Sequence, residues 1–287
     1  MGSRPYLMNL SNCSKDSPHT SPQIRINILL DYESEAPISL QVLPVTNRIW
    51  CVRRPSYLAC SYLVETDKGI VAIDAGMDSG AADIFTAFKK LGLSATQLTA
   101  VLLTHWHNDH AAGAAELKAR LRVTIHYATE DAAFFTRETA AHGFRAWLGE
   151  KIPELGPLVL LRGLLEEAPP RAVAADSFVR NGDLVVGLFR VLATPGHTPG
   201  HVAYFHEDSR TLFCGDALAV VGNQLRLMAR PVTPDLPTAR QSALRCLDLN
   251  PQFICPGHRA PLIQNVPAEI GRLRAFLNSS QPWPLLG

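Results

Sequence analysis

One stretch constrains this chain more than any other: "LTAVLLTHWHNDHAAGAAELKARL", residues 98–121. Its first seven residues read as a buried strand, and "HAAGAAELKARL" reads as a helix. Between them stand His105, His107, Asp109 and His110. In an extended segment, residues two apart face the same side, so His105 and His107 can share a target. Asp109 and His110 fall where the chain turns into the helix and can point at a second target nearby. Imidazole nitrogens and a carboxylate are the ligand set of zinc and similar transition metals. Four such groups in six residues have little use in packing.

The same grammar recurs downstream. "ATPGHTPGH" places His197 after a β run and a Pro-Gly turn, "LFCGDAL" places Asp216 after a strand and a glycine, and "ICPGH" places His258 likewise. Loops at strand ends are where side chains from distant segments converge at a sheet edge. "AIDAG" adds Asp74, read as a residue that orients a ligand histidine through a hydrogen bond rather than as a ligand itself.

Around these points the chain alternates strand and helix patterns. "ISLQVLPV", "RIWCVR", "CSYLVET" and "GIVAIDAG" are strand-like, and "SGAADIFTAFKKLG" is helical, with Ser79 as N-cap and Gly92 as stop. "RVTIHYA", "LVVGLFRVLAT", "HVAYFHE", "TLFCGDAL" and "QFICPGH" are further strands. "PDLPTARQSALRCLDLN", starting near Thr233 or Asp235, and "PAEIGRLRAFLN" are helices. The organisation expected is a polar N-terminal arm over residues 1–37 and one layered α/β domain over 38–287, with a helical insertion at about 129–170. Phe134, Phe135, Phe144, Trp147 and Leu148 of the insertion either cap the metal loops or pack it onto the domain or a dimer partner.

A net charge of +1 gives no basic footprint for nucleic acid or anionic membrane, and no apolar run is long enough to span a bilayer. The N-terminal residues lack the apolar core of a secretory signal. Six cysteines without a C-x-x-C pair read as reduced, buried thiols, which points to the cytoplasm. A small-molecule substrate is the partner expected, and a homodimer is left open. His19, His126, His142 and His206 are read as surface or packing residues, His201 as structural, Cys214 as a buried strand thiol, and Arg230 and Arg259 as solvated or salt-bridged.

The ordered set His105, His107, Asp109, His110, His197, Asp216 and His258 resembles the metallo-β-lactamase superfamily over about residues 38–265. The resemblance implies a four-layer αβ/βα sandwich with metals at one edge. It implies two divalent ions, zinc foremost and iron or manganese as alternatives. His105, His107 and His197 would hold one, Asp109, His110 and His258 the other, and Asp216 would bridge them. The chemistry implied is attack by a metal-bridging hydroxide, formed because the metals lower the pKa of water from 15.7 toward ~7. Asp109 and Asp216 would be the catalytic carboxylates. "HAAG" departs from the two glycines many members carry, a change that costs little unless Ala112 needs a positive φ.

Within the superfamily, His107 argues against a flavodiiron oxidase and Asp216 against a true β-lactamase. About thirty residues follow His258, too few for the helical C-terminal domain a glyoxalase II-like thioesterase would carry. The expected activity is therefore hydrolysis of a lactone, ester or thioester with a small, apolar acyl group. The alternatives are a mononuclear-iron persulfide dioxygenase using His105, His197 and Asp216, β-lactam hydrolysis as a minor activity, and a non-enzymatic binding protein. Retention of Asp109, His110 and His258 weighs against the dioxygenase.

Overall fold

The computed structural model describes residues 40–54, 58–136 and 171–285. The expected arm lies outside them, as does most of the insertion, with Phe144, Trp147, Leu148 and His142.

Seven strands form the first sheet, in sequence order. They are β1 (Gln41–Thr46), β2 (Ile49–Arg53), β3 (Cys60–Thr66), β4 (Gly69–Ile73), β5 (Leu98–Leu102), β6 (Thr124–Ala128) and β7 (Ser177–Val179). The first four pair antiparallel in succession. From β4 onward the pairing is parallel, because α1 (Ala82–Leu91) and α3 (Ala114–Leu121) return the chain over one face of the sheet. The second sheet runs in the order β14-β11-β10-β9-β8. Its strands are β8 (Leu184–Val185), β9 (Phe189–Ala193), β10 (Val202–His206), β11 (Thr211–Gly215) and β14 (Phe253–Pro256). A separate hairpin, β12 (Ala219–Val221) with β13 (Gln224–Arg226), precedes α5 (Leu236–Asp248), and α6 (Val266–Leu277) closes the domain.

The layering follows from period-two burial. Val71 and Ile73 of β4 join Tyr62, Tyr204 and Phe213 in the cluster between the sheets. Their neighbours Ile70 and Ala72 pack with Ile84, Phe88 and Leu117 on the helical side. On the second sheet, Leu212 and Cys214 turn to Ala243, Leu247 and Leu273 of the outer helices. Each central strand thus buries both faces, one against the other sheet and one against helices. This is the expected αβ/βα sandwich.

Several local expectations change. Ser79 is not the cap of α1: Ala81 takes a left-handed φ of 55°, and the Asp78 carboxylate accepts from the backbone N–H of Gly80 and Ala82, each at 3.0 Å. Gly92 does end that helix, at φ 68°. Asp235, not Thr233, caps α5. "LVVGLFRVLAT" is broken by positive φ at Val186 and Gly187 into β8 and β9. The helix after the histidine cluster is two pieces, Asn108–Ala111 (α2) and α3. Strand β7 and the β12–β13 hairpin are short and carry no strong alternation, so pattern reading passes over them. Five of the cysteines are free and buried, Cys214 among them; Cys13 is not described.

Candidate metal centre

Strands β4, β5, β11 and β14 all end at one edge of the sandwich, and all seven residues singled out by sequence meet there. Loop and strand ends are fixed by long-range bonds to backbone carbonyls. Tyr204 Oη donates to the Leu103 carbonyl at 2.9 Å, just before the histidine loop. Tyr62 Oη donates to the Pro256 carbonyl at 2.7 Å, just before His258. Gly257 N–H donates to the Gly215 carbonyl at 2.8 Å, which ties the His258 loop to the Asp216 loop. A Cβ on Gly257 would lie 2.2 Å from Asp216 Oδ1 and 2.6 Å from His110 Cε1, so only glycine allows this approach.

Two groups of ligand atoms result. In the first, His107 Nδ1 lies 3.1 Å from His105 Nε2 and 2.9 Å from His197 Nε2. In the second, His258 Nε2 lies 3.3 Å from His110 Nε2 and 3.3 Å from Asp109 Oδ2. Asp216 stands between them, its Oδ2 3.5 Å from His197 Nε2 and 3.4 Å from His258 Nε2. Its Oδ1 is buried and has no hydrogen-bond partner among the described residues.

The electrostatics differ between the two groups. Burial, reinforced by neighbouring imidazoles, holds His105 well below the ordinary histidine value and His107 down at about 3. Burial also lowers His197, against the pull of Asp216. With Nδ1 of His105 and His197 engaged elsewhere, their Nε2 lone pairs converge on His107 Nδ1, a three-nitrogen set suited to a cation. In the second group burial also disfavours charge, but Asp109, Asp216 and Asp74 overcome it and push His110 up to about 9. His258 is raised well above its usual value by Asp216 and Asp109 against the same burial. Burial opposes ionisation of Asp109 and Asp216 too, yet the facing histidines hold both below the usual carboxylate range. The orphaned Asp216 oxygen, the convergent imidazoles and the all-N/O donor set fit divalent transition metals.

The surrounding shell fixes ring orientation. Asp74, 2% exposed, accepts from Thr104 N–H at 2.8 Å through Oδ1. Its Oδ2 receives Thr104 Oγ1 at 3.0 Å and His110 Nδ1 at 2.9 Å. Thr104 Oγ1 in turn receives His105 Nδ1 at 3.0 Å. Asp74 thus leaves Nε2 of both rings facing inward, directly for His110 and through Thr104 for His105. His197 Nδ1 donates to the Val232 carbonyl at 2.5 Å with the same effect. His201 is structural: its Nε2 accepts the Asp216 N–H at 3.0 Å, so its Nδ1–H donates to Thr194 Oγ1 at 2.7 Å. Ala112 sits in ordinary helical backbone, φ −56°, so "HAAG" is accommodated. Gly113 is the demanding position, where a Cβ would lie 2.4 Å from the Ala75 carbonyl.

Of the insertion aromatics, Phe134 stacks on Trp106 with ring centroids 4.3 Å apart and planes 8° off parallel. The Trp106 ring stands edge-on to His107 at 4.5 Å. Phe135 instead packs in the core against Tyr127. Sequence reading passes over Thr104, whose relay role depends on contacts with Asp74 and His105 that no local pattern encodes, and over Trp106.

A family model described as the metallo-beta-lactamase superfamily matches residues 59–258, from the third strand's approach to the last histidine. The chain belongs to the metallo-beta-lactamase superfamily. Among curated relatives of this superfamily member, a probable metallo-hydrolase, YflN, of Bacillus subtilis (strain 168) is 29% identical over 73% of this chain and 83% of its own length. A hydroxyacylglutathione hydrolase of Rhodopseudomonas palustris (strain BisB18) is 37% identical over 56% of this chain and 48% of its own. The chain thus spans under half of that enzyme's length. The crystal structure of TTHA1623 in a di-iron-bound form superposes with a TM-score of 0.57 at 26% identity, covering 77% of this chain and 97% of that one. ST1585 from Sulfolobus tokodaii, at 19% identity and a TM-score of 0.59, covers 82% of this chain and 88% of its own and shares the fold. The family match and the curated relatives place the chain among the superfamily's metallo-hydrolases. No helix among the described residues is long and apolar enough to cross a membrane.

Proposed function

We propose that this protein is a dinuclear metal-dependent hydrolase of a thioester, ester or lactone with a small apolar acyl group. The observation that carries the reading is Asp216, buried between two groups of ligand atoms with one oxygen lacking any hydrogen-bond partner. His105, His107 and His197 would hold one ion, Asp109, His110 and His258 the other, with Asp216 shared. Divalent ions bound there supply a water nucleophile at neutral pH and polarise a carbonyl. Zinc is the first choice; the di-iron form of TTHA1623 keeps iron in view, and manganese suits the same donors.

The chain's own residues do the rest. Burial keeps His105 and His197 neutral, and Asp74, Thr104 and the Val232 carbonyl orient the rings of His105, His110 and His197. Asp109, with 20% of its side chain exposed, lies at the rim of the site and turns its Oδ2 toward His110 and His258. Trp106 and Phe134 form an apolar wall beside His107, suited to an acyl chain rather than a charged group. The hydroxyacylglutathione hydrolase relatives favour a thioester among the three bond types. A mononuclear-iron dioxygenase would leave the Asp109–His110–His258 group without a use.

The test pairs metal analysis with a substrate panel. The zinc-loaded protein is assayed against thioester, lactone, carboxylic ester, phosphodiester and β-lactam substrates. Two ions per chain and turnover of an acyl substrate are expected, with loss on chelation and recovery on metal return. One iron per chain with oxygen consumption would overturn the reading.

A further inference from the structure

Between β6 and the short helix α4 (Ala132–Phe135), the turn Thr129–Asp131 carries a carboxylate that the metal ligation does not use. Asp131 is completely buried. Its Oδ2 accepts from Thr198 Oγ1 at 2.8 Å, and its Oδ1 accepts from the Gly200 N–H at 2.7 Å. The Trp106 backbone N–H donates to the same carboxylate. These donors belong to two separate loops. Trp106 lies between His105 and His107, and Thr198 directly follows His197.

The fit is close enough to restrict the sequence. A Cβ on Gly200 would lie 2.5 Å from Asp131 N and 2.7 Å from Asp131 Cγ, so the His197 loop reaches the carboxylate only as glycine. Three residues beyond Asp131, Phe134 stacks on Trp106, so the same turn grips the histidine loop by ring as well as by backbone. Neither loop pairs as a strand at this point. The carboxylate supplies a fixed common anchor for the loops that must bring the His105 and His197 Nε2 atoms to 3.1 and 2.9 Å from His107 Nδ1.

We propose that Asp131 is a positioning residue that sets the spacing between the His105–His107 pair and His197, and with it the affinity of that group for its cation. The proposal rests on reading those three histidines as a metal site. Ligand-orienting partners of this kind are worth about 10–100-fold in metal affinity. Thr198 Oγ1 and the two backbone N–H groups deliver that effect through one carboxylate, so removing one donor gives a fraction of it and removing the acceptor gives all of it.

The experiment measures zinc affinity and stoichiometry of the full chain by competition with a chromophoric chelator. It is run in the unmodified protein and in His110→Ala, where the second group is disabled. Asp131→Ala should weaken zinc binding by about 10–100-fold in the His110→Ala background. Thr198→Val, which keeps shape but removes the hydroxyl donor, should weaken it by a smaller factor, and Thr198→Ser should restore it. Melting temperatures of the metal-free and zinc-loaded forms separate positioning from general support. A structural role alone would lower both equally and leave the dissociation constant unchanged, and that result would overturn the proposal. Should Asp131→Ala fail to fold, the Thr198→Val and Thr198→Ser pair decides by the same readout. If the unmodified chain holds no zinc, the metal reading itself fails and this proposal with it, whereas unchanged affinity in the variants removes only the role of Asp131.

Discussion

Replacing Asp74 with Asn tests whether one buried carboxylate sets the protonation pattern of both metal groups. The amide oxygen must face the Thr104 N–H, because a backbone N–H cannot accept. The amide NH2 then occupies the place of Oδ2, facing Thr104 Oγ1 and His110 Nδ1. It now donates to His110 Nδ1, which moves that ring's proton to Nε2, the atom 3.3 Å from His258 Nε2. It also donates to Thr104 Oγ1, whose own hydrogen turns to His105 Nδ1 and moves that ring's proton inward as well. One ligand in each group is thereby blocked. Each orienting partner lost is worth about 10–100-fold in metal affinity, or about 1.4–2.7 kcal/mol per ion. The fold loses about 1.5–3 kcal/mol, the worth of one hydrogen bond to a charged group. In a Ser-His-Asp triad the equivalent change also keeps the geometry and costs about 10,000-fold in rate through the wrong tautomer.

Asn is the informative substitution because Asp74 has a left-handed φ of 62°, which Asn adopts readily. Asp74→Ala would instead strand three buried donors at about 1–3 kcal/mol each and would read out as unfolding. The assay combines chelator competition for zinc, melting temperature, and imidazole 15N–1H correlation spectra that report the tautomers. An Asp74→Asn protein that binds both ions at full affinity, or whose His110 keeps its proton on Nδ1, would refute the relay.

Gly257→Ala should abolish binding at the Asp109–His110–His258 group, since its Cβ would strike Asp216 Oδ1; elemental analysis checks for a lost ion. Gly113→Ala should destabilise strongly by driving a Cβ into the Ala75 carbonyl, whereas Ala112→Gly should cost only about 1–2 kcal/mol, from lost helical preference and one buried methyl. Thermal melts distinguish the two. Metal binding should be strongly pH-dependent on one side only. His110, raised to about 9, must give up a proton to bind a metal, so affinity there should fall by up to about tenfold per pH unit per proton below that value. The neutral His105–His107–His197 group should fill first, and proton release should accompany mainly the second ion. By the same linkage, the stability that metal-free protein gains from protonated His110 is fully present below 6.5 and is lost as pH rises through about 9. Metal-loaded protein should show no such decline, as melting temperatures against pH will reveal.

The sequence alone determined the layered α/β class and the seven residues that meet at the sandwich edge. Both rest on short-range grammar: apolar strands that end in His or Asp, with glycine or proline adjacent, must release those side chains at a sheet edge. Asp74 was legible for the same reason, since "AIDAG" repeats that ending. Only the tertiary structure decided how the rings are turned. His107 points Nδ1 inward while His105, His110 and His197 point Nε2, and that choice lies with Thr104, Asp74 and the Val232 carbonyl, which no local pattern links. Asp131 was hidden for a related reason. A carboxylate in a turn before a helix reads as a cap, and its partners Thr198 and Gly200 lie 67 and 69 residues away along the chain, with Trp106 on yet another loop. Ser79 lost its capping role to Asp78 because a left-handed Ala81 bent the chain first. Periodicity and residue type fix which face is buried and which residue can ligate. Hydrogen-bond direction depends on groups brought together only after the sheets pack, and in this site it selects the nitrogen that meets the metal.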